Sequence, residues 1–360
     1  MGWISWWNRR RRKDFLPSGL LSIFRIPNPS FLPTPNTQHP TPNTLQTLGE
    51  QGLLALVQQF SPIAITGDDA ALVNVEADKS IAITTDVLVD GVHFSNRTTS
   101  AFDVGWRSIA ANLSDLAAMR ATPLGVTVGL SLPGNLAIDW VEQLYQGMAA
   151  CLQPYDAPIL GGDLTRSTVK TVAITAIGQV DRDRAICRST AQPGDAILVT
   201  GVHGASRAGL ELLLHSDPAE LEPEVRSRLI QAHQRPVPRL DVLPLLPIDR
   251  VAGMDSSDGL ADAVLQICRS SGVGAEVWRD RIPLAAWPNR AQAIEWALYG
   301  GEDFELVLCL AIEQAESVCD QLPEAAIVGR ITVDREVVLI SENAREVLSF
   351  DRGFQHFSSY

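Results

Sequence analysis

From Leu48 onward the chain alternates between runs rich in β-branched residues and amphipathic stretches of helical period. LGEQGLLALVQQF predicts a short helix, and AALVNV and SIAITTDVLV predict strands. DVGWRSIAANLSDLAAM is helical by period, because Trp106, Ile109, Ala110, Leu113 and Ala117 share a face. On the neighbouring stripe Ser108, Asn112 and Asp115 line up at i, i+4 and i+7. LGVTVGLSLP predicts a strand, DWVEQLYQGMAACL a helix and VAITAIGQV a strand. After the connector DRDRAICRSTAQPGD the pattern returns, with AILVTG as strand and GASRAGLELLLH as helix. In VAGMDSSDGLADAVLQICRSSGVG a Ser or Asp caps a helix that stops at Gly272. ALYGGEDFELVLCL reads as a helix end, a Gly-Gly turn and a strand. Such alternation buries its apolar faces by laying helices on sheets, so the fold class is α/β (α+β). At 360 residues the chain is long for one core, and two α/β domains are expected, at 48–181 and 182–360.

The first 47 residues have a different character. MGWISWWNRRRRK sets three Trp residues beside a basic run, and PNPSFLPTPNTQHPTPNT repeats a Pro-Asn-Thr phrase. Such sequence cannot bury a core, and residues 1–47 are expected to be a disordered extension. A signal peptide needs a longer apolar stretch, and Trp6 occupies the Ser/Thr position of a myristoylation pattern. A membrane-touching or partner-binding arm and an over-extended start are the readings left open; the next Met is Met119.

Charge excludes several function classes. The 29 Lys plus Arg against 42 Asp plus Glu give a net charge of -13, so the basic face that nucleic acid requires is not expected. Three lysines, Lys13, Lys79 and Lys170, all lie outside glycine-rich loops, and no G-x-x-x-x-G-K-[ST] occurs, which excludes a P-loop. Five scattered cysteines without a C-x-x-C pair read as reduced thiols of a cytoplasmic protein. The six histidines form no H-E-x-x-H, and no uninterrupted apolar run has membrane-spanning length.

Acidic residues cluster in short motifs: GDD (Asp68, Asp69), TTD (Asp86, with Asp90 close behind), NLSD (Asp115), GGD (Asp163), DSSD (Asp255, Asp258) and GGED (Glu302, Asp303). Asp68, Asp69, Asp86 and Asp90 crowd together with hardly a cation near, and like charges repel unless something positive joins them. Either these residues decorate turns and element ends, or they form a divalent-metal site. Magnesium takes oxygen ligands, and the flanking Thr84, Thr85 and Ser257 hydroxyls suit it; the lack of a Cys/His cluster excludes zinc. Singly, each motif is weak. DSSD can be helix capping alone, and the glycine pairs 161–162 and 300–301 suit a turn as well as a ligand. His93 can be a turn residue and Tyr145 a helix residue half in the core.

In combination, GDDAA, TTDVLVDGVHF, NLSDLAAM, LGGD, RSTAQPGD, DSSDGL and GGEDFEL closely resemble the thiamine-monophosphate kinase family, from about Leu48 to GFQHF near the C-terminus. The wider superfamily of ATP-using enzymes includes aminoimidazole ribonucleotide synthetase, selenophosphate synthetase and a hydrogenase-maturation protein. TTD-x-x-V-x-x-x-HF with NLSDLAAM and GGED-[FY]-EL looks specific to the thiamine-phosphate branch. The resemblance implies two α/β domains with the site in the cleft between them, dimerising through the N-terminal domain's sheet. It implies several Mg²⁺ ions on Asp69, Thr84, Thr85, Asp86, Asp115, Asp163 and Asp255, with Asp258 near a further ion. ATP would meet Tyr145, Gly162, Asp163, Arg188 and Ser257, and thiamine phosphate His93, Glu302 and Phe354. The implied reaction is ATP-dependent, Mg²⁺-assisted in-line phosphorylation of thiamine phosphate to thiamine diphosphate, with no covalent enzyme intermediate and no catalytic side chain assigned. That chemistry brings two polyanions together, and in a lysine-poor chain neutralisation falls to metal held by the acids. The match departs at Ser256, where an apolar residue is expected, and at Phe354, which replaces Trp or Tyr. Another superfamily enzyme, selenophosphate synthetase-like or aminoimidazole ribonucleotide synthetase-like, is the alternative. The former wants a reactive Cys near the N-terminus, and the first Cys is Cys151. A non-catalytic calcium- or magnesium-binding protein would show a D-x-[DN]-x-[DN]-G-x₅-E loop, which is absent.

Overall fold

Two sheets divide the described residues, which are 43–62, 70–215 and 221–353 of the computed structural model. The first half runs α1 (Leu45–Val57, kinked at Gly49), β1 (Lys79–Val89), α2 (Ala101–Ala118), β2 (Thr122–Leu132), α3 (Ile138–Leu152), β3 (Ile159–Arg166) and β4 (Thr171–Asp181). Its strands lie in the order β1-β4-β2-β3, with β4 antiparallel to both neighbours and β2 parallel to β3 across the α3 crossover. Side chains alternate across a strand, so the sheet has two unlike faces. One packs Val128 and Ile174 against Ile109, Leu113, Leu144 and Met148 of α2 and α3, all buried. The other carries Ile81, Ile83 and Val87 of β1 at 54%, 66% and 46% exposure.

The second half runs β5 (Ala196–Val199), α4 (Ala205–Leu214), α5 (Pro223–Gln234), β6 (Ala252–Asp255), α6 (Leu260–Ser271), β7 (Gly274–Trp278), α7 (Arg290–Tyr299), β8 (Leu306–Leu310), α8 (Ile312–Gln321), β9 (Ala326–Thr332), β10 (Val337–Ser341) and β11 (Ala344–Val347). These strands form one sheet in the order β11-β10-β7-β9-β5-β8-β6.

Helix α2 joins the halves. Ser100 caps it, accepting a hydrogen bond from the Asp103 amide at 3.2 Å and donating to the Asp103 carboxylate at 2.6 Å. Its Ile109, Leu113 and Leu116 belong to the core of the first half, while Ala117 and Ala118 enter a core with Leu198, Leu306 and Leu308 of the second sheet. A helix buried on two sides needs small residues on one of them, which accounts for the Ala-rich end of NLSDLAA.

Several expectations are corrected. Residues 70–75, AALVNV, form no strand. GGD lies inside β3, where a turn or element end was expected, whereas Asp86 lies within β1, the strand predicted from SIAITTDVLV. The residue capping α6 is Gly259, with no side-chain cap, so DSSD does not cap that helix. Helix α1 begins at Leu45, ahead of the expected boundary, because Asn43 and Leu45 pair with Ile138 and Leu136.

Candidate functional site

The seam between β1 and α2 is polar although it is buried. Thr84 and Asp86, two residues apart on β1, both face the helix. Thr84 Oγ1 donates to Asp115 Oδ2, and the Asp86 amide donates to Asn112 Oδ1 at 3.2 Å. Asn112 Nδ2 in turn donates to the Ser108 carbonyl at 2.9 Å. Asn112 and Asp115 of the predicted stripe therefore face the strand, while the Ser108 hydroxyl donates to the Gly105 carbonyl of its own helix at 2.9 Å. From the second sheet, β6 delivers Asp255, 2% exposed, whose Oδ2 accepts from Ser114 Oγ at 2.7 Å.

These carboxylates disfavour one another's ionisation. Burial, then the charges of Asp115 and Asp258, push Asp86 up to about 6. Burial and then Asp115 push Asp255 up to about 7, against the Ser114 hydrogen bond. Asp115 is raised by burial and held back by Thr84 and Arg188. Arg188 is exposed and bonded to Gln266 at 2.6 Å; with Thr84, Asp115 and Asp255 it lines a cavity of 210 Å³. Among the described residues, no three His, Cys, Asp or Glu side chains converge to hold one metal ion. All-oxygen donors on several elements suit Mg²⁺, which binds through one or two carboxylates, waters and substrate phosphates.

A larger cavity of 930 Å³ opens beside the seam, between Asp86 and His93 on one side and Ser257, Asp258 and Glu302 on the other. His93 Nδ1 accepts from the Val89 amide at 3.0 Å. The GGED loop presses on the DSSD turn: Gly301 has φ +66, and a Cβ there would sit 2.5 Å from the Ser257 carbonyl. The Glu302 amide donates to that same carbonyl at 2.7 Å. Asp303 turns away and accepts from the Gly204 and Ser206 amides at 2.6 and 2.9 Å, serving the start of α4. Asp90, expected to lack a cation, pairs with Lys170 at 3.1 Å.

Not every expected residue joins this place. Tyr145, Gly162 and Asp163 line a separate cavity of 460 Å³ that also reaches Thr127 of β2 and Ile177 of β4. Tyr145 is buried against Phe60, with ring centres 5.3 Å apart, and burial raises its hydroxyl. Gly162 is demanded by the sheet itself, since a Cβ there would meet the Val128 carbonyl at 1.9 Å. Asp163 stands three strands from β1, about 14 Å by strand spacing. Register puts Asp163, Gly129, Ala173 and Val87 in one row, so Asp163 shares the open face with Thr85, whose hydroxyl lies 2.8 Å from that of Thr175. Asp69 and Phe354 lie outside the described residues. Ser256 behaves as the apolar residue expected there: it is fully buried, and its hydroxyl has no partner among the described residues. Sequence reasoning missed Ser114, Arg107 and His233. Ser114 stood inside a quoted motif, whereas the other two carry no local signal.

Comparison with known proteins covers most of the chain. Residues 67–180 match the AIR synthase related protein N-terminal domain and residues 192–342 the corresponding C-terminal domain. Thiamine-monophosphate kinase of Synechococcus elongatus is 51% identical over 325 residues, covering 88% of this chain and 99% of the relative. The solved thiamine-monophosphate kinase of Stenotrophomonas maltophilia superposes with TM-score 0.70 at 34% identity, over 82% of this chain and 96% of that one. The structure of AaThiL complexed with AMPPCP and TMP does so with TM-score 0.66 at 32% identity, over 84% and 98%.

Proposed function

The chain belongs to the thiamine-monophosphate kinase family, and from that premise we propose how its cleft carries out the reaction. The protein is an ATP-dependent kinase that phosphorylates thiamine phosphate to thiamine diphosphate. The observation that carries our assignment of the site is the meeting of Thr84, Asp115 and Asp255, from three elements and both sheets, around the 210 Å³ cavity, while Asp86, on the same strand as Thr84, lines the 930 Å³ one.

Asp86, Asp115 and Asp255, with Thr84 and the neighbouring Asp258, are the groups that would hold Mg²⁺; Asp69, Thr85 and Asp163 complete the set that the family resemblance implies. Bound there, the metal would neutralise the phosphates of donor and acceptor, which otherwise repel. Arg188 and Ser257 flank the acids and serve the nucleotide, while Tyr145 and Gly162 wall the cavity proposed for its base. His93 and Glu302 face the larger cavity, where thiamine phosphate binds, with Phe354 as a third contact. The acceptor oxygen is already ionised, so no side chain need remove a proton. Transfer then rests on in-line positioning and charge neutralisation.

A homodimer is the assembly we propose, with residues 48–181 and 182–360 as the domains of each subunit. The exposed Ile81, Ile83 and Val87 support it, since large apolar side chains left open on one strand face favour association. A partner laid on that face also lets Thr85 of one chain and Asp163 of the other approach one nucleotide. The five unpaired thiols favour a cytoplasmic setting. Among the described residues no helix is long and apolar enough to cross a membrane.

Purified protein given ATP, Mg²⁺ and thiamine phosphate is expected to form thiamine diphosphate, followed by chromatography. Absence of the diphosphate, or equal turnover with free thiamine, refutes the assignment.

A further inference from the structure

Across the large cavity from Asp86 lies a set of polar groups that phosphoryl transfer leaves without a task. Arg107, on α2, is 2% exposed, and a buried guanidinium is tolerated only when paired and hydrogen-bonded. Its Nη2 donates to Glu302 Oε1 at 2.5 Å, and its Nη1 donates to His233 Nε2 at 2.8 Å. Its Nε has no partner among the described residues, so these two acceptors direct the fork. His233 Nδ1 lies 3.2 Å from Ser206 Oγ. Burial, then the charges of Arg107 and Arg207, depress His233 to about 2 and keep the ring neutral. A neutral ring has one lone pair and one N–H: Nε2 accepts from Arg107, leaving Nδ1–H for Ser206. The three groups come from α2, α5 and the loop between α7 and β8. At the end of the set Glu302 has φ +59, a conformation a non-glycine residue keeps only when its surroundings hold it. Its side chain remains 35% exposed, at the cavity wall.

We infer that Arg107, seated by His233, is a positioning residue that aims the Glu302 carboxylate at the cationic ring of the acceptor. The inference rests on the reading that this cavity takes thiamine phosphate, whose thiazolium carries a fixed positive charge. One carboxylate oxygen is fastened from behind by Arg107, and the rest of the group is presented to the ligand at a set angle. Arginine suits this work because its planar fork serves two acceptors at once, which a single ammonium cannot do with the same geometry.

The test is steady-state kinetics of wild type, Arg107→Lys, Glu302→Ala and the double variant, with KM measured for both substrates. Arg107→Lys keeps the buried charge but loses the fork. It is expected to raise KM for thiamine phosphate roughly 10- to 100-fold, as loss of a hydrogen bond to a charged group does, while KM for ATP and kcat stay near wild type. In the Glu302→Ala background the lysine change should add nothing. If Arg107→Lys does not fold, His233→Gln takes its place in the same cycle. An unchanged KM for thiamine phosphate, a parallel loss for both substrates, or multiplicative effects in the double variant overturns the inference and leaves the kinase assignment standing. Failure of the wild type to turn over thiamine phosphate overturns the assignment, and this inference with it.

Discussion

Asp115 is asked to be charged in a place that resists charge. Burial favours the protonated form, Thr84 and Arg188 oppose it, and the charge of Asp115 in turn raises Asp86 and Asp255. The arrangement is costly in the metal-free protein and useful once a cation arrives. Asp115→Asn keeps the size and an acceptor for Thr84 while removing the charge. The metal-free variant is expected to melt no lower than metal-free wild type, and Mg²⁺ with nucleotide should stabilise the wild type more. Turnover should fall on the order of 10²–10³, as when one electrostatic stabiliser is lost. Full activity, or unfolding without metal, would make Asp115 a structural helix residue. A second residue reports on acid stability. His203 is fully buried, and burial depresses it to about 4 although its Nδ1 lies 3.1 Å from the Gly201 carbonyl. Its folded pKa is below the unfolded value, so the unfolded chain binds the extra proton, and the contribution present at pH 7 is lost as pH falls from 6.5 toward 4. Between pH 7 and 5 this amounts to about 2 kcal/mol. Urea unfolding of His203→Gln at the two pH values should show a correspondingly smaller decline than wild type.

At the scale of the element, α2 carries the most consequence for its length. Its start rests on Ser100, whose hydroxyl serves both the amide and the carboxylate of Asp103. Ser100→Ala should cost about 1 kcal/mol in chemical unfolding and leave both KM values unchanged, because the cap lies at the opposite end from Asp115. The helix was legible in sequence because its apolar residues repeat at helical period, and the polar stripe facing β1 was legible for the same reason. Strand β3 was not: two adjacent glycines imitate a turn, and only the proximity of the Val128 carbonyl shows why a strand needs one there. DSSD imitates a cap, and its true partner, Ser114, is 141 residues away. Arg107 and Glu302 are 195 residues apart, and no local pattern reports a contact that the packing of two sheets creates. Motif order made the acidic cluster readable. Which acids meet was decided by strand order and register, which set Asp163 three strands from Asp86 and on the opposite face.

For the whole molecule, the start of the described part matters first. Asn43 and Leu45 pair with the 136–138 segment, so a truncation must stop short of them. Removing residues 1–41 is expected to leave melting temperature and turnover unchanged, whereas removing 1–45 should lower the melting temperature by stripping those hydrogen bonds and the buried Leu45. The open face of the first sheet is the larger question. Ile83 is 66% exposed in the isolated chain, beside Ile81 and Val87, and pairs with Ile177 on β4. If two copies join there, Ile83→Asp buries a charge in an apolar interface and should shift sedimentation from dimer to monomer. The same variant should lose turnover with its fold intact by circular dichroism, because Asp163 and Thr85 share that face and one chain keeps them apart. A dimer that survives the substitution removes this face from the interface. A monomer with full activity shows that one chain completes the site alone, and Asp163 then has no part in it.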